Sequence, residues 1–499
     1  MNQEIAKSIA RNTTVQMIQQ VITWTSSFIL MLFLPRYLGP VDYGRLYLAM
    51  SISGIFLIFI DFDGKMGIAK RIARAREQTP QTLVNAVGLR IVLWLISFCA
   101  MIIFALVVDY PTAVKILLIV FGIEMLWNAI RTVLAGTFLG FEILQYSAVG
   151  AIVERVFISV VGVSAILLGA NFLTIAIIMV VGSLLNFFVC ARFARRIVRS
   201  LPKINWSALL TLSKDGIPYL LWTISSVIYY RIDTIMLSLL TPAVVVGWYG
   251  AAYKFFDVLV FFPSIYSIAI MPILSRLWGK EDDMLSRTAQ KSLKVMMISG
   301  IPISILAFAF SENIIKLFFG LEGYGPSVVT LQIFTVGLLL LYIDFVLSTM
   351  LLACDKQRAW ATVAFFAVFL NIGLNYFFIP YTQTRFGNGG VGAAVATIIT
   401  EFFVMISALS IMPKGILDSS LNPVSLKAIT SGILMVVVLW LFSWNHLPWI
   451  AEAIIAGAVY LVALFSFKTF NTAELVFMKS FLSPRNFKNI MVLHKGAST

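Results

Sequence analysis

Apolar residues in this chain come in long runs, not in the alternating or one-faced patterns of water-soluble folds. Runs of roughly 20 apolar residues recur from end to end, separated by short segments rich in Lys, Arg, Gly and Pro. About 20 residues at 1.5 Å each match the ~30 Å hydrocarbon layer. Backbone groups in lipid must be satisfied within the segment, so each run predicts a transmembrane helix. The pattern yields about 14 such helices. Their centres fall near Ile29, Phe56, Ile96, Leu126, Val156, Val180, Val227, Val260, Pro302, Leu340, Phe369, Ile399, Val436 and Val459. The fold class is therefore an all-α polytopic membrane protein.

Composition agrees. Of 499 residues, 60% are hydrophobic and 12% charged, whereas soluble domains carry about a quarter charged residues. The net charge of +14 looks at first like a nucleic-acid footprint. Its location says otherwise, because the basic residues cluster between apolar runs, as in Lys70, Arg71, Arg74 and Arg76, and in Arg192, Arg195, Arg196 and Arg199. With the N-terminus inside, about 27 basic residues fall in cytoplasmic segments and about five outside. Both termini are predicted to be cytoplasmic and no nucleic-acid partner is expected. Cys99, Cys190 and Cys354 have no metal-ligand spacing, and His446 and His494 form no catalytic or metal cluster. No metal or cofactor site is expected, and the run from about Val15 to Leu34 reads as a retained first helix rather than a signal peptide.

A loose internal repeat organises the chain. Gly39-Pro40-Val41-Asp42-Tyr43-Gly44 follows the first helix, and Thr241-Pro242 with Gly247-Trp248-Tyr249-Gly250 follows the seventh. Repeated bundles fit alternating-access transporters, although Pro and Gly also favour any tight turn. The expected layout is two pseudo-symmetric six-helix bundles, 1–200 and 201–415, plus an additional helix pair and tail over 416–499.

Charged residues inside spans cost about 2.5–3.5 kcal/mol each at a helix centre. Most must therefore face a bundle interior or a wet cavity. Glu124, Trp127, Asn128 and Arg131 share one helical face; Glu154 and Arg155 lie deep in the fifth helix. Ser226, Tyr229, Tyr230 and Asp233 form one stripe of the seventh helix, with Arg231 roughly opposite. Lys254 and Asp257 are spaced to pair. Asp344, the Asn371–Asn375 pair, Thr397 and Glu401 follow in later spans. Ion pairs of this kind can also simply glue helices together. As a cavity, the arginines suit phosphate and pyrophosphate, and Tyr and Trp suit sugar rings. The candidate substrate-binding set is Arg131, Arg155, Arg231, Lys254, Tyr230 and Trp127. The candidate coupling or gating set is Glu124, Glu154, Asp233, Asp257, Asp344 and Glu401.

Two glycine motifs call for comment. Gly387-Asn388-Gly389-Gly390-Val391-Gly392 fits a dinucleotide fingerprint but follows no predicted strand, so that reading fails. Gly136-x-x-x-Gly140 is a candidate for close helix packing.

Arg11-Asn12-Thr13-Thr14, Pro35 through Gly44, and Ile68 through Arg74 resemble the polysaccharide transporter family. So do Tyr230 through Leu237, Val246-Gly247-Trp248-Tyr249 and Gly390 through Thr397. This is the O-antigen flippase-type branch of the multidrug/oligosaccharidyl-lipid/polysaccharide exporter superfamily. The resemblance implies a non-catalytic flippase of the cell inner membrane, active in O-antigen, capsule or exopolysaccharide biosynthesis. It would move a polyprenyl-pyrophosphate-linked oligosaccharide to the outer leaflet by alternating access. Expected partners are that substrate, membrane lipids, H+ or Na+ as coupling ion, and other polysaccharide-assembly proteins. Family members often show Asp-Phe-Gly after the second helix, where this chain has Asp61-Phe62-Asp63-Gly64-Lys65. A drug or cation antiporter of the same superfamily is the alternative reading. A membrane glycosyltransferase or polymerase ranks lower, since the longest outer loop, about Ser311 to Pro326, looks too short for its needs.

Overall fold

A computed structural model describes residues 3–61, 64–198, 202–205, 230–413, 415–417, 421–442 and 447–470. All regular elements among them are helical. They are α1 (Gln3–Ile58), α2 (Gly64–Arg74), α3 (Thr79–Val107), α4 (Thr112–Gly140), α5 (Gln145–Leu167) and α6 (Phe172–Ile197). A helical stretch over 230–240 is α7. There follow α8 (Ala243–Leu259), α9 (Phe261–Leu277), α10 (Asp282–Ala309), α11 (Ser311–Phe318), α12 (Leu321–Tyr324) and α13 (Ser327–Ala353). The last four are α14 (Gln357–Phe386), α15 (Gly389–Ile411), α16 (Leu421–Phe442) and α17 (Trp449–Ser466).

Among the described residues, 12 stretches are long and apolar enough to cross a membrane. They correspond to all the predicted spans but two. The first predicted span lies in the part of α1 before Gly39. The seventh falls largely in 206–229, outside the described residues, and so do Ser226, Tyr229, His446 and His494. The protein is a multi-pass membrane protein with an all-helical fold.

The turn predicted after the first span is a sharp break within α1. Gly39 takes φ +72°, a left-handed conformation open to glycine at little cost. Pro40 follows and cannot donate to the preceding turn. From Pro40 to Ile58 the helix rises about 27 Å.

The chain forms two compact units. The first comprises Met1–Val258, Ser311–Phe334 and Gln357–Ser407; the second Leu259–Phe310, Thr335–Lys356 and Ala408–Thr499.

In the first unit α2 is too short to span a membrane. Its apolar residues Ile68 and Ile72 are buried, packed with Val133, Leu134 and Phe138 of α4 and Cys190 and Ala194 of α6. The glycine pair of α4 makes room for it. A Cβ on Gly136 would lie 2.9 Å from the Lys65 carbonyl oxygen, and one on Gly140 would lie 2.9 Å from Cβ of Ile72. The GxxxG stripe thus receives the short amphipathic helix, with Lys70, Arg74 and Arg76 left exposed.

The other end of the first unit is closed by the two repeated turns. A Cβ on Gly44 would meet the Gly247 amide nitrogen at 2.8 Å, and one on Gly247 would overlap the Pro40 carbonyl. The loop of Ser311 to Pro326 folds into α11 and α12 over this contact. Tyr324 Oη donates to the Pro35 carbonyl (2.7 Å), and Trp248 Nε1 donates to the Gly323 carbonyl (2.8 Å). Tyr324 also meets Tyr43 edge to face. Backbone and rings leave this end tightly closed.

In the second unit α16 and α17 form a hairpin against α10, with Ile301, Met435, Tyr460 and Leu464 in its core. Pro263 of α9 has no N–H for the Leu259 carbonyl one turn back. Tyr342 Oη donates to that carbonyl instead, at 2.8 Å.

Candidate functional site

Four basic side chains stand at comparable depth in the first unit. Arg131 lies about 13 Å along α4 from its end at Gly140, and Arg155 about 15 Å into α5 from the same end of the unit. Arg231 and Lys254 lie about 13 and 16 Å from the closed end, along α7 and α8. Arg155 and Lys254 are exposed, and Arg131 and Arg231 half-buried. Lys254 is within electrostatic reach of Arg231 and Arg155, and Arg155 and Arg131 both act on Glu124. Cations contributed by four helices therefore share one region. None of the four forms an ion pair within 4 Å among the described residues.

The face predicted on α4 is present. Asn128, one turn from Glu124, accepts from Arg131 Nη2 at 2.9 Å. Arg131 Nε is buried and unpartnered. Trp127 packs on Phe187 of α6, ring centroids 5.2 Å apart, and remains half-buried. Lys254 and Asp257 feel each other's charge without closing to an ion pair. Tyr230 is 48% exposed.

The neighbours Glu154 and Arg155 of α5 are placed differently. Glu154 is buried and accepts from Asn186 Nδ2 at 2.6 Å, so its carboxylate is turned to α6. Arg155 is exposed.

Asp233 is buried at 3% exposure in a cage of neutral donors. Tyr249 Oη (2.9 Å) and Thr397 Oγ1 (2.8 Å) donate to Oδ2. Asn375 Nδ2 donates to Oδ1 at 2.6 Å and shares its amide with Asn371 Oδ1 at 2.8 Å. A carboxylate with this many donors is satisfied without a cation. Glu401 is buried one turn beyond Thr397 on α15. Asp344 belongs to the second unit and is buried there.

In the glycine motif of 387–392, residues 387–388 link α14 to α15 and the rest form the first turn of α15. Gly387 has φ +67°, Gly389 N donates to Gln383 Oε1 (2.9 Å) and Gly390 N to Asn388 Oδ1 (3.1 Å). It joins two helices, as the rejection of the dinucleotide reading requires.

The second unit holds a recess of about 660 Å³, lined by Ile301, Ile305, Phe308, Leu339, Val436 and Trp440, with Glu452 at its wall. Its walls are mostly apolar, and the described residues lining it include no cation for a phosphate group.

A family model described as "Polysaccharide biosynthesis protein" matches residues 9–278, more than half of the chain. The chain belongs to this family. A second model, MatE, matches residues 218–377. A curated relative, "Probable flippase AglR" of Haloferax volcanii, is 26% identical over 247 residues. The match covers 46% of this chain and 48% of that protein, so the chain spans about half the length of the relative. Among solved structures, the lipid II flippase MurJ in an inward closed conformation aligns with TM-score 0.73 and 16% identity, over 91% of this chain and 99% of that one. An inward-facing multidrug resistance MATE family transporter of the MOP superfamily aligns with TM-score 0.66 and 15% identity, over 79% and 97%. At such identities the likeness is one of fold.

Sequence reasoning found the charged positions and missed their surroundings. The Asn186 partner of Glu154 and the Tyr249 contact of Asp233 were unassigned. Both residues are polar groups inside spans, a signal that was available.

Proposed function

We propose that this chain is a flippase for a polyprenyl-pyrophosphate-linked oligosaccharide, moving it from the cytoplasmic to the outer leaflet for O-antigen, capsule or exopolysaccharide biosynthesis. The gathering of Arg131, Arg155, Arg231 and Lys254, none of which forms an ion pair within 4 Å among the described residues, carries this reading. Guanidinium groups give paired, charge-assisted hydrogen bonds to phosphate oxygens, and a diphosphate would supply the missing counter-charge. Tyr230 and Trp127 offer apolar faces to sugar rings. The family, and the names of the relatives as flippases, support the same substrate class.

In this reading the basic end that carries α2 faces the cytoplasm, with both termini on that side in the inner membrane. The substrate enters there, because the opposite end is closed by Gly44, Gly247 and Tyr324. Bundles over 1–200 and 201–415 rock to open that seal, while 416–499 adds two helices. Asp233, with Glu401 one turn from its cage, is the candidate for coupling to H+ or Na+. Asp257, Glu124 and Asp344 are further gating candidates, and Glu154 holds α5 to α6.

A cation or drug antiporter is the second reading, favoured by the MatE match over 218–377. Flipping of a labelled polyprenyl-pyrophosphate oligosaccharide in vesicles separates the two. Protein-dependent transfer lost in Arg131→Ala and Arg231→Ala, with normal folding, supports the flippase. Full activity of both variants would refute the cationic cavity, and gradient-driven movement of a small cation without glycolipid transfer would favour the antiporter.

A further inference from the structure

Lys65 lies outside the four cations described above. It sits in the first turn of α2, directly against α4, since its carbonyl oxygen is 2.9 Å from the Cβ position of Gly136. Arg131 is five residues earlier on α4, about 7.5 Å along the axis. Both side chains are half-buried. Neither forms an ion pair within 4 Å among the described residues. Arg131 uses one Nη on Asn128, and its buried Nε has no partner among the described residues. Glu124, two turns deeper on the same face of α4, offsets part of the Arg131 charge. Burial, and secondly the nearby Arg131 charge, hold the Lys65 ammonium below the ordinary lysine range. Two like charges on adjacent helices lack an ion-pair partner within 4 Å among the described residues, and one multivalent anion between them would relieve both.

We infer that Lys65 and Arg131 form a diphosphate entry site at the α2 end of the first unit, ahead of the mid-depth cations. A compact ammonium beside a planar guanidinium suits the two phosphoryl groups of a diphosphate. The inference rests on the flippase reading and adds to it a residue and a first station for the substrate. Phosphate chemistry also occurs in anionic phospholipid head groups, so the test must separate the two sources.

The purified full-length protein is titrated with farnesyl diphosphate, inorganic pyrophosphate and phosphatidylglycerol. The readouts are the binding constants and amine acylation of each lysine by mass spectrometry. In the wild type, Lys65 should acylate ahead of exposed Lys70 at pH 8 and be protected by farnesyl diphosphate and by pyrophosphate. Lys65→Gln should weaken farnesyl diphosphate binding about tenfold, equivalent to ~1.4 kcal/mol, and Lys65→Arg should restore it. If Arg131→Ala weakens binding while Lys65→Gln does not, and Lys65 stays unprotected, the entry site is overturned and the flippase reading stands. Protection by phosphatidylglycerol alone would assign the pair to lipid head groups and overturn the substrate assignment. Absence of binding by any diphosphate to the wild type would overturn both readings. The wild-type acylation pattern decides the matter even if the glutamine variant misfolds.

Discussion

Replacing Gly247 by alanine should loosen the closed end of the first unit. The new methyl would overlap the carbonyl oxygen of Pro40, which belongs to the backbone beside the Gly39 break and cannot rotate away as a side chain would. The turn and the start of α8 must separate. Overpacking of this kind typically costs about 1–3 kcal/mol, charged only to the state in which the turns touch. That shifts the balance toward the opened state by about 5- to 150-fold. Val246, beside the contact, is 0% exposed, so a cysteine there reports opening. The host would be Cys99→Ser, because Cys99 is exposed while Cys190 and Cys354 are buried. In Val246→Cys, labelling by a membrane-impermeant maleimide should accelerate by that factor when Gly247→Ala is added. Gly54→Ala is the control, as nothing lies within 4 Å of its Cβ position. Unchanged labelling in folded Gly247→Ala protein, or equal acceleration in the control, would refute the idea that this glycine contact holds the end shut.

Asp233→Asn should retain the fold at a cost of about 1–3 kcal/mol, since the new amide can keep the Tyr249 and Thr397 bonds but must turn an NH2 toward the Asn375 amide. Transport measured with and without an ion gradient should then become gradient-independent; unchanged coupling would remove Asp233 from that role. Gly140→Leu should displace α2, because Cβ of Ile72 and the Ala69 carbonyl lie 2.9 and 3.0 Å from the Cβ position. Hydrogen exchange over residues 64–74 should rise sharply, and wild-type protection would show that α2 docks by other means.

The spans were legible because a hydrocarbon layer permits few alternatives. Fourteen runs of apolar residues followed from that rule, and the polar residues within them stood out against it. The face of Glu124, Asn128 and Arg131 was legible for the same reason that any helical stripe is. Pairings between helices were not. Asn375 and Thr397 reach Asp233 across 142 and 164 residues of sequence, and helical periodicity carries no information over such distances. Glu154 looked like a cavity residue by depth alone, yet Asn186 takes its carboxylate. The four charges of the α2 segment dominate that stretch of sequence, while Ile68 and Ile72 are spaced for one buried face. The glycine pair of α4 announced a close approach without naming what approaches, and its occupant proved to be this non-spanning helix. Between Ser311 and Pro326 the sequence offered only a short loop. Its folding over the repeated turns depends on Tyr324 and Gly323 meeting Pro35 and Trp248, contacts with no local signature.

The break at Pro263 gives the eighth span a built-in point of compliance. In hydrocarbon, opening a backbone rung leaves two groups without water and costs several kcal/mol. Here the rung is absent from the start, and a single phenol hydroxyl on α13 fills the vacancy at Leu259. Bending at this place requires the hydroxyl to swing or to hand the carbonyl to another donor, which is a side-chain event rather than a break in the ladder. The chain crosses from the first unit to the second at this residue. Bending at this point of the span therefore breaks no backbone hydrogen bond.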